Sequence, residues 1–255
     1  MNVKRLASYL GLTYLISWSV WIPLALSATK IEPGQAWPTH LFGLLGPAIA
    51  AIIVTLAMKG MVGLRELGTR IFRVKVRWHW YGLVCLTAGF IAFGLANQSS
   101  LADFLRYSGA GEWGFLVIPY VFILNGFGEE IGWRGFLVEE LSKKFSIGVT
   151  SLLTWVFWAV WHIPLFWFLA TFMDLGVGGT IGWTLGLLSG SVFLTWMYTK
   201  AEHSIFLAAL WHTVFNFSTA TTATAGLAAA ISSTIVMVAA VAILAFPSTW
   251  RRKMA

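Results

Sequence analysis

Apolar stretches of about 20 residues recur along the whole chain, and a helix of that length crosses the roughly 30 Å hydrocarbon core of a bilayer. Eight such runs can be marked, at roughly 6–28, 38–58, 79–98, 113–139, 147–170, 179–199, 203–221 and 226–247. Inside lipid the backbone must satisfy its own hydrogen bonds, so runs of this kind fold as helices. The expected fold is all-α: a polytopic transmembrane helix bundle of about eight spans, with residues 1–255 forming one integral membrane domain. Composition agrees, since 58% of residues are apolar and 11% charged, against about 25% charged in soluble domains. Fifteen Trp residues suit aromatic belts at two membrane interfaces. Lys4, Arg5 and the first apolar run have the outline of a signal peptide. That run is too long for one and contains Trp18, Trp21 and Pro23, so it reads as a retained span. The single cysteine, Cys85, rules out an intrachain disulfide and a Cys-based metal site.

A net charge of +7 raises the question of nucleic acid, which the distribution of charge answers. With the N-terminus in the cytoplasm, fourteen of the seventeen basic residues fall in cytoplasmic segments. Lys30 and Arg106 fall on the opposite side, and Arg134 lies inside a span. This is the positive-inside pattern. It implies a lipid bilayer as the partner, no nucleic acid, a multi-pass plasma-membrane location and both termini in the cytoplasm. The segment 59–77 carries six basic residues and the single acid Glu66, and reads as a loop resting on anionic headgroups.

Charge within a span is costly and marks function. Seven of the eight spans contain no Asp, Glu, Lys or Arg, whereas the fourth contains Gly128-Glu129-Glu130-Ile131-Gly132-Trp133-Arg134-Gly135. Glu130 and Arg134 are four apart and share a helix face. One arginine cannot neutralise two adjacent carboxylates, so Glu129 needs a proton, a metal or another partner. A buried charge cluster that merely locks helices would need only one pair. The fifth span offers His162, followed by Pro164, and the seventh offers His212 and Asn216, four apart on one face. At about 1.5 Å per residue, Glu129, His162 and His212 lie roughly 15, 22 and 14 Å from the cytoplasmic ends of their spans. Three helices can therefore direct acid, base and amide groups into one cavity. Gly126, Gly128, Gly132 and Gly135 would let neighbouring helices approach the fourth closely.

Glu129-Glu130-x-x-x-Arg134, then His162 with an aromatic residue four before it, then His212-x-x-x-Asn216, resembles the CPBP family of CAAX proteases and bacteriocin-processing enzymes. That family includes the type II CAAX prenyl endopeptidases. The resemblance covers roughly residues 113–221 and departs at Trp158, where the family pattern usually has Phe. It implies an intramembrane endopeptidase acting on a membrane-associated or prenylated peptide or protein. Catalytic residues would be Glu129, Glu130, Arg134, His162, His212 and Asn216. Glu129 and His162 would activate water, Glu130 and Arg134 would fix geometry, and His212 and Asn216 would donate to the oxyanion. No cofactor is expected. The alternative is zinc held by Glu129, His162 and His212, although no His-Glu-x-x-His helix is present. Two other readings use the same residues: a non-catalytic scaffold or immunity protein, and a proton-coupled transporter. No pair of similar halves with broken helices supports the transporter.

Overall fold

The computed structural model describes residues 1–96, 100–224 and 226–251. Seven helices among them are long and apolar enough to cross a membrane, and an eighth, shorter apolar helix joins them. They are α1 (Val3–Leu26), α2 (Gly46–Ile71), α3 (His79–Ala96), α4 (Gly114–Ser142), α5 (Ile147–His162), α6 (Gly176–Lys200), α7 (Ile205–Thr219) and α8 (Leu227–Ala245). The bundle is polytopic and helical, as the apolar runs require.

α4 occupies the centre. It packs against α2, α5, α6 and α7, while α1 pairs with α2, α3 with α7, and α6 with both α5 and α8. Small residues allow this crowding. A side chain at Gly128 would meet the Leu44 carbonyl oxygen at 2.8 Å, and one at Gly132 would run into Pro47. α1 is fastened to α5 by polar groups: the Tyr14 hydroxyl donates to the Phe157 carbonyl at 3.0 Å, and the Trp18 indole to the Trp161 carbonyl at 3.1 Å. The Trp161 indole returns a bond to the Ser17 hydroxyl at 2.7 Å.

Two local features shape the site. α4 is not a uniform α-helix, since residues Phe122–Phe127 and Trp133–Val138 form π-helical turns on either side of Gly128–Gly132. Such turns occur often at functional sites. α5 ends at His162 and continues as a 3₁₀ turn over Ile163–Trp167, because Pro164 lacks the N–H the α-ladder requires.

Segment 59–77 differs from its reading as a headgroup-bound loop. Gly60 adopts φ 61°, ψ −157°, a conformation that glycine reaches without strain. The chain turns there and re-enters helix to Ile71. Gly63 and Leu67, four apart, are buried, whereas Arg65, Lys75 and Arg77 stay exposed. Arg70 and Arg73 are spent on the protein: Arg70 donates to the Gly135 carbonyl at 3.1 Å, and Arg73 to the Glu202 carbonyl. α7 is also shorter than its run, with 15 residues, because Ser204 caps its start and a threonine-rich turn follows Thr219.

The two ends of the bundle differ in chemistry. At the basic end Glu140 accepts Arg5 at 2.7 Å and Lys143 at 2.6 Å, while Glu139 accepts Arg70 at 3.4 Å and His203 at 2.6 Å. Beneath that lattice Leu67, Val138, Tyr198 and Ile205 form a buried apolar plug. At the other end the loops are stitched by backbone bonds. The Ile31 N–H donates to the Phe168 carbonyl at 2.7 Å and the Ala170 N–H to the Ile31 carbonyl at 3.0 Å.

Candidate active site

The segment between the π turns places both glutamates in the protein interior, and their partners separate them. Glu130 and Arg134 are fully buried at 0% exposure and pair at 2.9 Å. The same Glu130 oxygen lies 2.7 Å from His212 Nδ1. Arg134 also stacks over the Trp158 ring, 4.7 Å from its centroid, which offsets part of the cost of burying the cation. Two donors and a ring thus hold Glu130 and Arg134 as one structural unit.

Glu129 has a different environment. Asn125 Nδ2 donates to one of its oxygens at 3.0 Å, and Trp158 Nε1 to the other at 2.6 Å. No salt bridge ties it down among the described residues. Asn216 Nδ2 donates to Asn125 Oδ1 at 2.7 Å, so the amide from α7 reaches Glu129 through the amide from α4. Glu129 is held by neutral donors and lines the cavity, whereas Glu130 is not among the cavity's lining residues.

Both histidines direct one nitrogen away from their supports. His162 Nδ1 lies 2.7 Å from the Trp158 carbonyl, which only accepts, so Nδ1 carries the proton and Nε2 keeps its lone pair. His212 Nδ1 faces the Glu130 carboxylate, which fixes the orientation of the ring and leaves Nε2 for the cavity. The Trp158 ring contacts both, with its centroid 5.7 Å from that of His162 and 5.5 Å from that of His212.

Glu129, His162, His212 and Asn216 line one cavity of about 760 Å³. Asn125, Trp158 and Tyr107 line it too; the sequence motif marked Trp158 only as its aromatic position, and sequence reasoning did not mark Asn125 or Tyr107. Tyr107 comes from the loop before α4, and its hydroxyl lies near Asn216. Burial, with the Glu129 carboxylate nearby, holds the Tyr107 phenol well above its ordinary range, so it stays a neutral donor. Among the described residues no three His, Cys, Asp or Glu side chains come together as a metal-ligand set.

Residues 110–218 match the family described as Type II CAAX prenyl endopeptidase Rce1-like. This chain resembles the Rce1-like endopeptidases. A protein named CAAX prenyl protease 2, from Methanococcus maripaludis, is 25% identical over 221 residues, covering 81% of this chain and 80% of that protein. The Rce1-like segment begins just after Tyr107 and ends just after Asn216. It contains the six residues singled out from sequence, together with Asn125 and Trp158. The Rce1-like resemblance therefore falls on the part of the bundle that builds the cavity.

Proposed function

We propose that this chain is an intramembrane endopeptidase that hydrolyses a peptide bond of a membrane-associated peptide or protein, prenylated substrates included, without a metal. The observation that carries the reading is Glu129. It is a buried carboxylate bound only by neutral donors, and it opens onto a cavity that His162, His212 and Asn216 share. In this mechanism Glu129 takes a proton from water while His162 Nε2 orients that water, and the oxygen attacks the scissile carbonyl. His212, held through Nδ1 against Glu130, presents Nε2 to the developing oxyanion. Asn216 and the neutral Tyr107 hydroxyl supply the remaining donors. Such donors are effective because they are fixed before the charge develops. Collapse of the intermediate returns the proton from Glu129 to the leaving amine.

A quenched fluorescent peptide, incubated with detergent-solubilised protein after exhaustive chelation, tests the reading. The expected result is hydrolysis in metal-free protein, lost in Glu129→Gln. Activity that disappears on chelation and returns with stoichiometric zinc would replace the metal-free mechanism. No hydrolysis by folded protein under any condition would favour a scaffold of the same fold.

A further inference from the structure

A second cleft, of about 420 Å³, opens at the basic end of the bundle and shares no lining residue with the cavity around Glu129. Five cations line it: Arg5, Lys59, Arg70, Arg73 and Lys143. Three carboxylates face them, Glu66, Glu139 and Glu140, and His203 completes the titratable set. The acids do not cancel the cations. Glu140 takes Arg5 and Lys143 on one and the same oxygen, Oε1. Glu139 pairs with Arg70, and Glu66 with Lys59. Arg73 pairs with none of the three and gives an N–H to the neutral Glu202 carbonyl. The excess is two positive charges, five cations against three carboxylates. The cluster is also short of hydrogen bonds, since Arg5 Nε and Glu140 Oε2 are buried without partners. Arg5 is nevertheless held in place, its guanidinium 5.4 Å from the centroid of the Phe136 ring.

The cleft lies at the level where helices leave the bilayer. Arg5 is the third residue of α1, Lys143 follows the last residue of α4, Arg73 lies two residues beyond α2, and His203 sits in the turn between α6 and α7. Helix ends gathered in this way put the cleft among lipid headgroups, whichever compartment it faces. Apolar side chains point outward beside it. Met61 and Val62 precede the lining residue Gly63, Phe72 precedes Arg73, and all three are exposed, Phe72 at 79%. A lipid would use both the cations and these apolar neighbours, whereas a soluble anion would use the cations alone. Gly135 and Phe136, from the π turn that contains Arg134, line the cleft as well.

We propose that this cleft binds the phosphate of an anionic phospholipid headgroup, with the acyl chains lying against Met61, Val62 and Phe72. The proposal does not depend on the protease reading. Arg5 and Arg73 supply guanidinium donors, whose fork matches phosphate oxygens, and Lys59 and Lys143 add point charges. A phosphodiester carries one negative charge, so the excess of two positive charges accommodates it despite Glu66, Glu139 and Glu140. The bound lipid ties together α1, α2 and α4, and a ligand that binds only the folded chain raises its stability with occupancy.

The test titrates purified protein in neutral detergent with dioleoylphosphatidylglycerol, with oleate or with inorganic phosphate. Bound lipid is counted by native mass spectrometry and the thermal midpoint is followed. The expected result is retention of phosphatidylglycerol and a raised midpoint. Oleate, which has chain and charge but no phosphate, and inorganic phosphate, which has no chain, should do neither. Arg73→Gln orphans none of the three acids and should weaken retention about tenfold. Arg5→Gln, which leaves Glu140 its Lys143 partner, should act in the same direction. Arg77→Gln removes the same charge at an exposed position outside the cleft and should change nothing. Equal loss in the Arg73 and Arg77 variants, or equal protection by oleate, would reduce the effect to general attraction and overturn the site. Protection by inorganic phosphate as strong as that by the lipid would overturn the assignment to a lipid. Failure of the folded wild type to retain phosphatidylglycerol would overturn the proposal outright. None of these readouts involves cleavage, so they decide the matter whether or not the chain is a protease.

Discussion

Trp158 touches every part of the site: its N–H holds Glu129, its face carries Arg134, and its ring packs against both histidines. Trp158→Phe keeps an aromatic ring and removes the donor. A hydrogen bond to a charged group contributes about 1.5–3 kcal/mol, so turnover should fall about 10- to 100-fold with KM little changed. Steady-state kinetics with the reporter peptide would read this; a rise in KM at constant turnover would mean that the indole only packs. The two glutamates should separate in the same way. Glu129→Gln should abolish turnover in a protein that melts normally. Arg134→Ala leaves Glu130 buried without its cation, at a cost of about 3–5 kcal/mol, and should lower the thermal midpoint as well. The Glu130–Arg134 pair was legible in sequence because a four-residue spacing defines one helix face. Asn125 has that spacing to Glu129, but a single amide in a span does not reveal its partner, and the motif marks Trp158 only as an aromatic position, not as a donor. Tyr107 lies in a loop, where spacing carries no information about direction.

The helices were legible because a bilayer imposes their length. The glycines of α4 were legible because close packing needs a missing side chain. Gly132→Leu would push α2 away at Pro47, and overpacking of this kind costs about 1–3 kcal/mol. Gly89→Leu on α3, where nothing lies within 4 Å, should leave the thermal midpoint unchanged. Equal melting of the two variants would count against the tight α2–α4 contact. The π turns and the helical run after Gly60 were not legible. A π turn has no composition of its own, and the charge density of 59–77 resembles that of a surface loop until Gly63 and Leu67 find a partner to bury against.

For the molecule as a whole, the described basic residues gather at one end of the bundle. Both termini should be cytoplasmic, because basic residues flank α1 and follow α8 on one side. Cysteines introduced at Asn2 and Met254 should be labelled in inverted vesicles and protected in intact cells; exposure of either end from outside would break the even number of crossings. The ties between α1 and α5 carry a further consequence, which concerns time. Tyr14, Ser17 and Trp18 find their partners 143 or 144 residues later in the chain. At about 5–20 residues per second, the ribosome needs roughly 7–30 s to deliver α5 after α1. During that interval α1 is already in the membrane with a phenol and an indole that lack these partners, while the Ser17 hydroxyl can already donate to the Gly43 carbonyl. Biogenesis of this protein thus includes a waiting state, in which the insertion machinery or bound water must shelter one helix until another arrives. A ribosome stalled before residue 157 would hold the chain in that state.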